Sequence, residues 1–413
     1  ALTDNASLNS SGGTITLNSG GTSTGSVVSL PGTTLVLENP LSLTGTTLKT
    51  KNTTFTTNTN ALTLSGGILE VEGTQNLGGV FPDNSTTLRL AANSTISDNA
   101  SLSVGTLDLA NFALTLNDQM AGLNVKQAVT LDAATEQIVS ADADLSLNGG
   151  ITVSNGILSS SGGDVSASSL SIGTAGTVNI LGGTLILPAG GTAVSGAAFT
   201  TSNAAISLAG TLEVADTWTS STNTNLSLTD NASLSSTAPL SLAVLSTNGH
   251  DFELANGTTD LTLANSFTLS SGTLSTQGGD LIFAGNADIS SGASLDATVL
   301  TGTAGKLEFQ QGGTASGTIN ARNATFKIGA AYAVDGDLIT SSGTTWELGT
   351  SNLDLSGGML ELGGTVVLDK VLTDNLTSFK LGEDTTVTRN QGFTLGGLDL
   401  DNSTLTLGSA TTD

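Results

Sequence analysis

Apolar and polar residues alternate along this chain in short bursts, each closed by a turn rich in glycine, asparagine or serine. Thr14-Ile15-Thr16-Leu17, Leu62-Thr63-Leu64, Leu107-Asp108-Leu109, Leu261-Thr262-Leu263, Leu353-Asp354-Leu355 and Leu405-Thr406-Leu407 are examples. A period of two marks a strand with one face buried. Ser65-Gly66-Gly67, Asn148-Gly149-Gly150 and Ser356-Gly357-Gly358 sit between bursts, where glycine accepts the positive φ of a tight turn. Bursts often recur after seven residues, as from Leu62 to Leu69, Leu107 to Leu114, Trp346 to Leu353 to Leu360, and Leu398 to Leu405.

Longer echoes set the repeat. Leu2-Thr-Asp-Asn-Ala-Ser-Leu8 returns as Leu228-Thr-Asp-Asn-Ala-Ser-Leu234, an offset of 226, and Asp98-Asn-Ala-Ser-Leu102 is a third copy. The same offset carries Leu35-Val-Leu-Glu-Asn39 onto Leu261-Thr-Leu-Ala-Asn265. Leu62-Thr-Leu-Ser-Gly-Gly-Ile-Leu-Glu-Val71 returns as Leu353-Asp-Leu-Ser-Gly-Gly-Met-Leu-Glu-Leu362, an offset of 291. Dividing 226 by 11 and 291 by 14 gives about 21 residues in both cases, a solenoid period. Three seven-residue segments then make one coil.

The expected fold is all-β: a right-handed parallel β-helix (β-solenoid) with three strands per coil, about 21 residues per coil and about 20 coils. Strict hexapeptides, which a left-handed helix favours, are absent. At coil spacings of about 4.8 Å such a rod measures roughly 95 Å. So narrow a tube is expected to hold small aliphatic side chains. Asp118-Gln-Met-Ala-Gly-Leu-Asn-Val125 and Ala133-Ala-Thr-Glu-Gln-Ile138 break the pattern and predict a longer loop or a short helical turn. No composition shift marks a boundary, so 1–413 is expected to be one continuous solenoid. Leu2 and Leu407 lie in ordinary repeat sequence without a capping element. That pattern predicts a segment of a longer rod, or ends that stack on other copies, since a bare end exposes core and strand edge.

Composition narrows the function. The 413 residues include 52 Gly and 5 Pro, with 37% hydrophobic, 3% aromatic and 11% charged residues. Regularly spaced aliphatics at this level argue for order over disorder. The net charge is −25, and no Lys or Arg occurs between Gln127 and Gly305. Nucleic acid needs basic residues against its phosphates, and anionic membrane surfaces need the same, so neither is an expected partner. No apolar run is long enough for a membrane span, and Ala1 begins in mid-pattern without a signal peptide. Without cysteine there are no disulfides or thiolate metal sites.

Candidate chemistry is sparse. His250, the one histidine, precedes Asp251 and reads better as a turn residue than as half of an acid/base pair. Asp142/Asp144, Asp335/Asp337 and Asp399/Asp401 are close carboxylates of the kind that serve calcium sites or glycosidases. Their alternation with strand apolars places them on the solvent face, so they are weak calcium candidates and no cofactor is expected. Trp218, Trp346 and Tyr332 are candidate sugar platforms, although Trp346 occupies a burst position suited to packing. The glycine doublets precede no helix and no Gly-Lys-Ser/Thr, so they do not cradle phosphate. Thr14-Ile-Thr16 and Asn52-Thr-Thr-Phe-Thr-Thr-Asn-Thr59 raise ice binding, but outward positions vary, and threonine also suits an exposed strand face.

Leu245-Ser-Thr-Asn-Gly-His-Asp-Phe-Glu-Leu254 and Leu62-Thr-Leu-Ser-Gly-Gly67 resemble the repetitive β-helical exoproteins of bacteria, the filamentous-haemagglutinin-type adhesins and autotransporter passengers. The resemblance covers nearly the whole chain through composition and period. It implies an extracellular, cell-surface location and an adhesive or structural role. The expectation is therefore a non-enzymatic rod that extends, self-associates or continues into neighbouring solenoid segments, with cell-surface or glycan ligands. The alternatives are a β-helical carbohydrate-active enzyme and an ice- or glycan-binding solenoid.

Overall fold

A computed structural model describes residues 4–58, 60–97, 100–117, 120–215, 218–220, 223–299, 305–389 and 392–408. Within them the regular elements are β-strands, paired in parallel with strands of neighbouring turns. The result is a parallel β-solenoid of about 19 turns with about 20 residues per turn, slightly tighter than the expected 21. The chain forms two compact units, Ala1–Ile206 and Ser207–Asp413.

In the first unit Ser7–Asn9, Gly13–Leu17 and Gly21–Thr24 make one turn, and Val27–Ser29, Thr33–Leu37 and Leu41–Thr44 the next. Ser7 pairs with Val27, Thr14 with Thr34, and Gly21 with Leu41, which defines a first, second and third face. The second unit repeats this order. Thr273–Thr276, Leu281–Phe283 and Ala287–Ile289 pair with Ser294–Asp296, Lys306–Phe309 and Gly313–Ala315. Period-two alternation turns one residue of each pair inward, and parallel register stacks like on like. Leu123, Leu145 and Val165 form one such buried column. Burying an aliphatic side chain of this size contributes about 1.5–3 kcal/mol, so the repeated bursts supply the core.

Corners follow turn chemistry. Of the ten non-glycine residues with positive φ among the described residues, eight are asparagine, whose short amide tolerates the left-handed region. Gly67 answers a different need: a β-carbon there would lie 2.0 Å from the Thr46 carbonyl oxygen of the turn below.

Two expectations need correction. The segments thought to leave the solenoid stay in it: Gly122–Val125 and Gln137–Ser140 are ladder strands joined by tight turns, and no helix occurs among the described residues. Asp118 and Gln119 lie outside the described residues, as do Leu2 and the Asp98-Asn99 part of the third echo. In these two strands Leu123, Val125 and Ile138 are buried and Asn124 and Gln137 half-exposed, and this strand period outweighed local helix propensity. Nor is the core purely aliphatic. In the second unit Phe267, Phe283 and Phe309 stack at 5.3 and 5.1 Å, and Phe326 and Tyr332 pack on Phe309 at 5.9 and 4.2 Å. Register places Phe283 beside Phe309, so rings fit the tube when neighbouring turns supply rings of their own.

Candidate functional site

Most polar side chains with a partner bond to the next turn. Asp164 donates its backbone N–H to Asp144 Oδ1 at 2.9 Å, and Thr184 donates to Asp164 Oδ1 at 2.7 Å. Asp260, Asp280 and the Lys306 N–H form the same column in the second unit, at 2.8 and 2.9 Å. Each carboxylate satisfies an N–H at the start of a strand, where the ladder has no carbonyl to offer.

The few cations are placed the same way. Glu70 lies between Lys49, at 3.2 Å, and Arg89, at 2.6 Å, one turn to either side. Glu361 lies between Arg322 and Lys380, and Glu308 between Lys306 and Lys327 at 2.9 and 3.1 Å. Burial works against the Glu70 and Glu308 carboxylates, but hydrogen bonds from the flanking cations outweigh it and hold both below the usual range. The Lys306 ammonium is held above its usual value, first by its hydrogen bond to Glu308. Seven of the ten Lys and Arg residues pair between turns, Lys51 with Glu72 and Lys306 with Asp280 at 3.7 Å among them, while Lys306 and Glu308 share one strand.

The sequence-predicted residues fall as follows. Asp142 and Asp144 are exposed, and Asp144 is engaged in the column described above. Asp335 is exposed in a turn, while Asp337 opens a strand. Asp399 accepts the Asp401 N–H at 3.1 Å, a local turn, and Asp401 itself has a φ of 41°. Leu398 and Leu400 beside them are 49% and 42% exposed, so the alternation expected there does not divide core from solvent. Among the described residues no three His, Cys, Asp or Glu side chains gather as metal ligands. His250 sits in a turn and donates its N–H to Thr247, while Asp251 accepts the Thr273 N–H one turn on. Tyr332 is buried in the ring stack with its hydroxyl donating to the Ala287 carbonyl at 3.1 Å, and burial pushes that phenol up. Trp218 is buried as well. On the second face of the first unit, threonine is more regular than expected: Thr14, Thr34 and Thr54 stand in register, and so do Thr74, Thr95 and Thr115. The column then changes to Val139, Ser159 and Asn179.

The 291-residue offset reaches far beyond the quoted echo. Ile68–Asn76 and Thr87–Ser97 correspond residue for residue to Met359–Val367 and Ser378–Thr388. Both pairs shift register at the same place, Val71/Gly73 and Leu362/Gly364. Glu70 matches Glu361 and Arg89 matches Lys380, the hubs of two ion ladders. Asp83 matches Asp374. Hydrogen bonds from the Ser85 and Ser65 hydroxyls hold Asp83 low, and the Leu376 N–H together with Thr377 does the same for Asp374. Thr86 and its match Thr377 both donate to a carbonyl of the turn below, Leu64 at 3.0 Å and Leu355 at 2.7 Å.

The same offset relates two grooves. On the second face no ladder joins Thr54–Thr56 to Ile68–Asn76, or Thr345–Glu347 to Met359–Val367, although the first face stays paired at both places. The next turn swings away and leaves an inward aromatic residue, Phe55 or Trp346, half-covered. The grooves measure about 470 and 490 Å³ and share Thr54/Thr345 and Thr74/Thr365 on their walls. Trp346 was legible as a candidate; Phe55 was not, yet carrying the 291 offset seven residues upstream of Leu62 finds it.

Compared with protein families, curated proteins and solved structures, the chain matches none.

Proposed function

We propose that this chain is a non-enzymatic structural and adhesive solenoid that extends or assembles at the outer surface of a bacterial cell. One observation carries the reading: carboxylates, amides and cations bond from turn to turn at sequence separations near 20, and among the described residues no three His, Asp or Glu side chains gather as metal ligands. Convergent acids are what a hydrolase needs. Columns of inter-turn bonds instead add to the strand ladders that hold each turn to its neighbours. The acidic surplus left after the cations are paired favours solubility of an extended particle.

Negative-stain electron microscopy with sedimentation of the purified chain tests the assembly. End-to-end or bundled fibres are expected as concentration rises. Particles that stay single at every concentration refute it.

A further inference from the structure

We infer that the groove beside Trp346 binds a neutral oligosaccharide. The inference deepens the adhesive half of the proposed function and rests on it, but not on fibre assembly.

The two related grooves form an internal comparison. Behind the groove beside Phe55, between its lining residues Thr74 and Asn76 in the chain, Gln75 is fully buried. Its Oε1 accepts the Thr53 N–H at 3.3 Å and its Nε2 donates to the Glu72 carbonyl at 2.8 Å. A phenyl ring there asks for nothing more. At the matching position the second unit has Val366, which can make neither bond. Phe55 becomes Trp346, whose indole Nε1–H is shielded from water and makes no hydrogen bond. Gly78-Gly79 becomes Asp369-Lys370, which puts a carboxylate and an ammonium on the wall. Trp346 packs edge-on against Phe326 at 5.7 Å and Asp369 lies within electrostatic reach of Arg389, yet phenylalanine would fill the ring position without an unpaired donor.

A ligand gives the uncovered part of the ring and the two charged side chains a common use. A sugar ring presents C–H groups to an aromatic surface, and at its edge hydroxyls that both donate and accept. Trp346, Thr345, Thr365, Asp369 and Lys370 supply that set along one groove. Its volume of about 490 Å³ lies within the range of small-ligand sites. A net charge of −25 disfavours an anionic polymer, so the sugar is neutral. An extended peptide could pair instead with the open edge of Thr345–Glu347, but it would draw nothing from the changes to tryptophan, aspartate and lysine.

Calorimetry on the unmodified chain, with neutral tetraoses of glucose, mannose and galactose in α and β linkage, tests this directly. A short alternating Thr-Val peptide serves as the competing probe. At least one tetraose should bind with a Kd at or below about 1 mM. Trp346→Phe should weaken it about tenfold or more, Asp369→Asn should also weaken it, and Phe55→Leu should leave it unchanged. In a Trp218→Phe background Trp346 is the sole indole, and its emission should shift with the same midpoint. Failure of every tetraose, unchanged binding by Trp346→Phe, or binding of the peptide alone would overturn the inference. Fibres without sugar binding would leave the assembly standing and remove this site. Sugar binding by single particles would do the reverse.

Discussion

Phe309→Ala probes how the second unit is held together. Phe309 is fully buried and touches three rings, Phe283 at 5.1 Å, Phe326 at 5.9 Å and Tyr332 at 4.2 Å. Truncating a buried phenylalanine costs about 3–5 kcal/mol through lost transfer and the cavity left behind. Each ring pair adds about 0.5–1.5 kcal/mol beyond its area, partly overlapping with that figure. The expected loss is therefore about 5 kcal/mol, at the upper end of the truncation range. Phe309→Leu keeps much of the volume and forfeits the ring contacts, so it should cost about 1–3 kcal/mol. In a solenoid each turn contacts only its neighbours, so the damage should be local. Native-state hydrogen exchange reads this: protection should fall in Leu281–Phe283, Lys306–Phe309, Thr325–Ile328 and Tyr332–Val334, and stay unchanged in Asp144–Leu147. A loss below about 2 kcal/mol for Phe309→Ala, or an equal loss in both units, would refute the ring stack as a nearest-neighbour core.

Other outcomes follow from the same contacts. Gly67→Ala should destabilise by about 2–3 kcal/mol through collision with Thr46, whereas Gly357→Ala, with open space but a φ of 91°, should cost only about 1–2 kcal/mol in chemical denaturation. Glu361→Gln should cost about 1–2 kcal/mol, because it strips one partner from Arg322 and Lys380, both of which keep some contact with water. The loss in Glu361→Gln should shrink in high salt, and a salt-independent loss would point to packing instead. Asp83 and Asp374 titrate below their unfolded values, so the folded state binds fewer protons than the unfolded state between the two. Their contribution is then full above the ordinary aspartate value of about 4 and is lost as pH falls through the lower folded values. Exchange protection around Thr86 and Thr377 should fall at acid pH, and Asp83→Asn with Asp374→Asn should flatten that dependence.

Much of this was legible in the chain. The period of two and the seven-residue spacing of the bursts predict three short strands per turn, and the 291 offset gives the turn length to within a residue. Alternation with a buried Ala143 leaves Asp142 and Asp144 on the solvent side, whereas beside Asp399 and Asp401 the apolar neighbours are themselves exposed. What could not be read was the vertical partner of each side chain. Glu70 and Arg89 lie 19 residues apart and Glu361 and Lys380 also 19, separations that mean contact only once the register is known. The ring stack is illegible in the sequence for the same reason: Phe283 and Phe309 are 26 residues apart, a longer turn than the average.

The sequence by itself determined the solenoid, because hydrophobic periodicity depends only on which residues alternate, and each burst carries its own evidence. It also held the duplication of the grooves, written as an offset of 291. Only the tertiary structure decided that the second-face ladder opens beside Phe55 and Trp346. Strand pairing is a competition between neighbouring turns, settled by corner geometry and register shifts at Gly73 and Gly364 that no single burst encodes. The same tryptophan that reads as one more core residue in the chain becomes, in the folded turn, a half-covered indole at the edge of a groove.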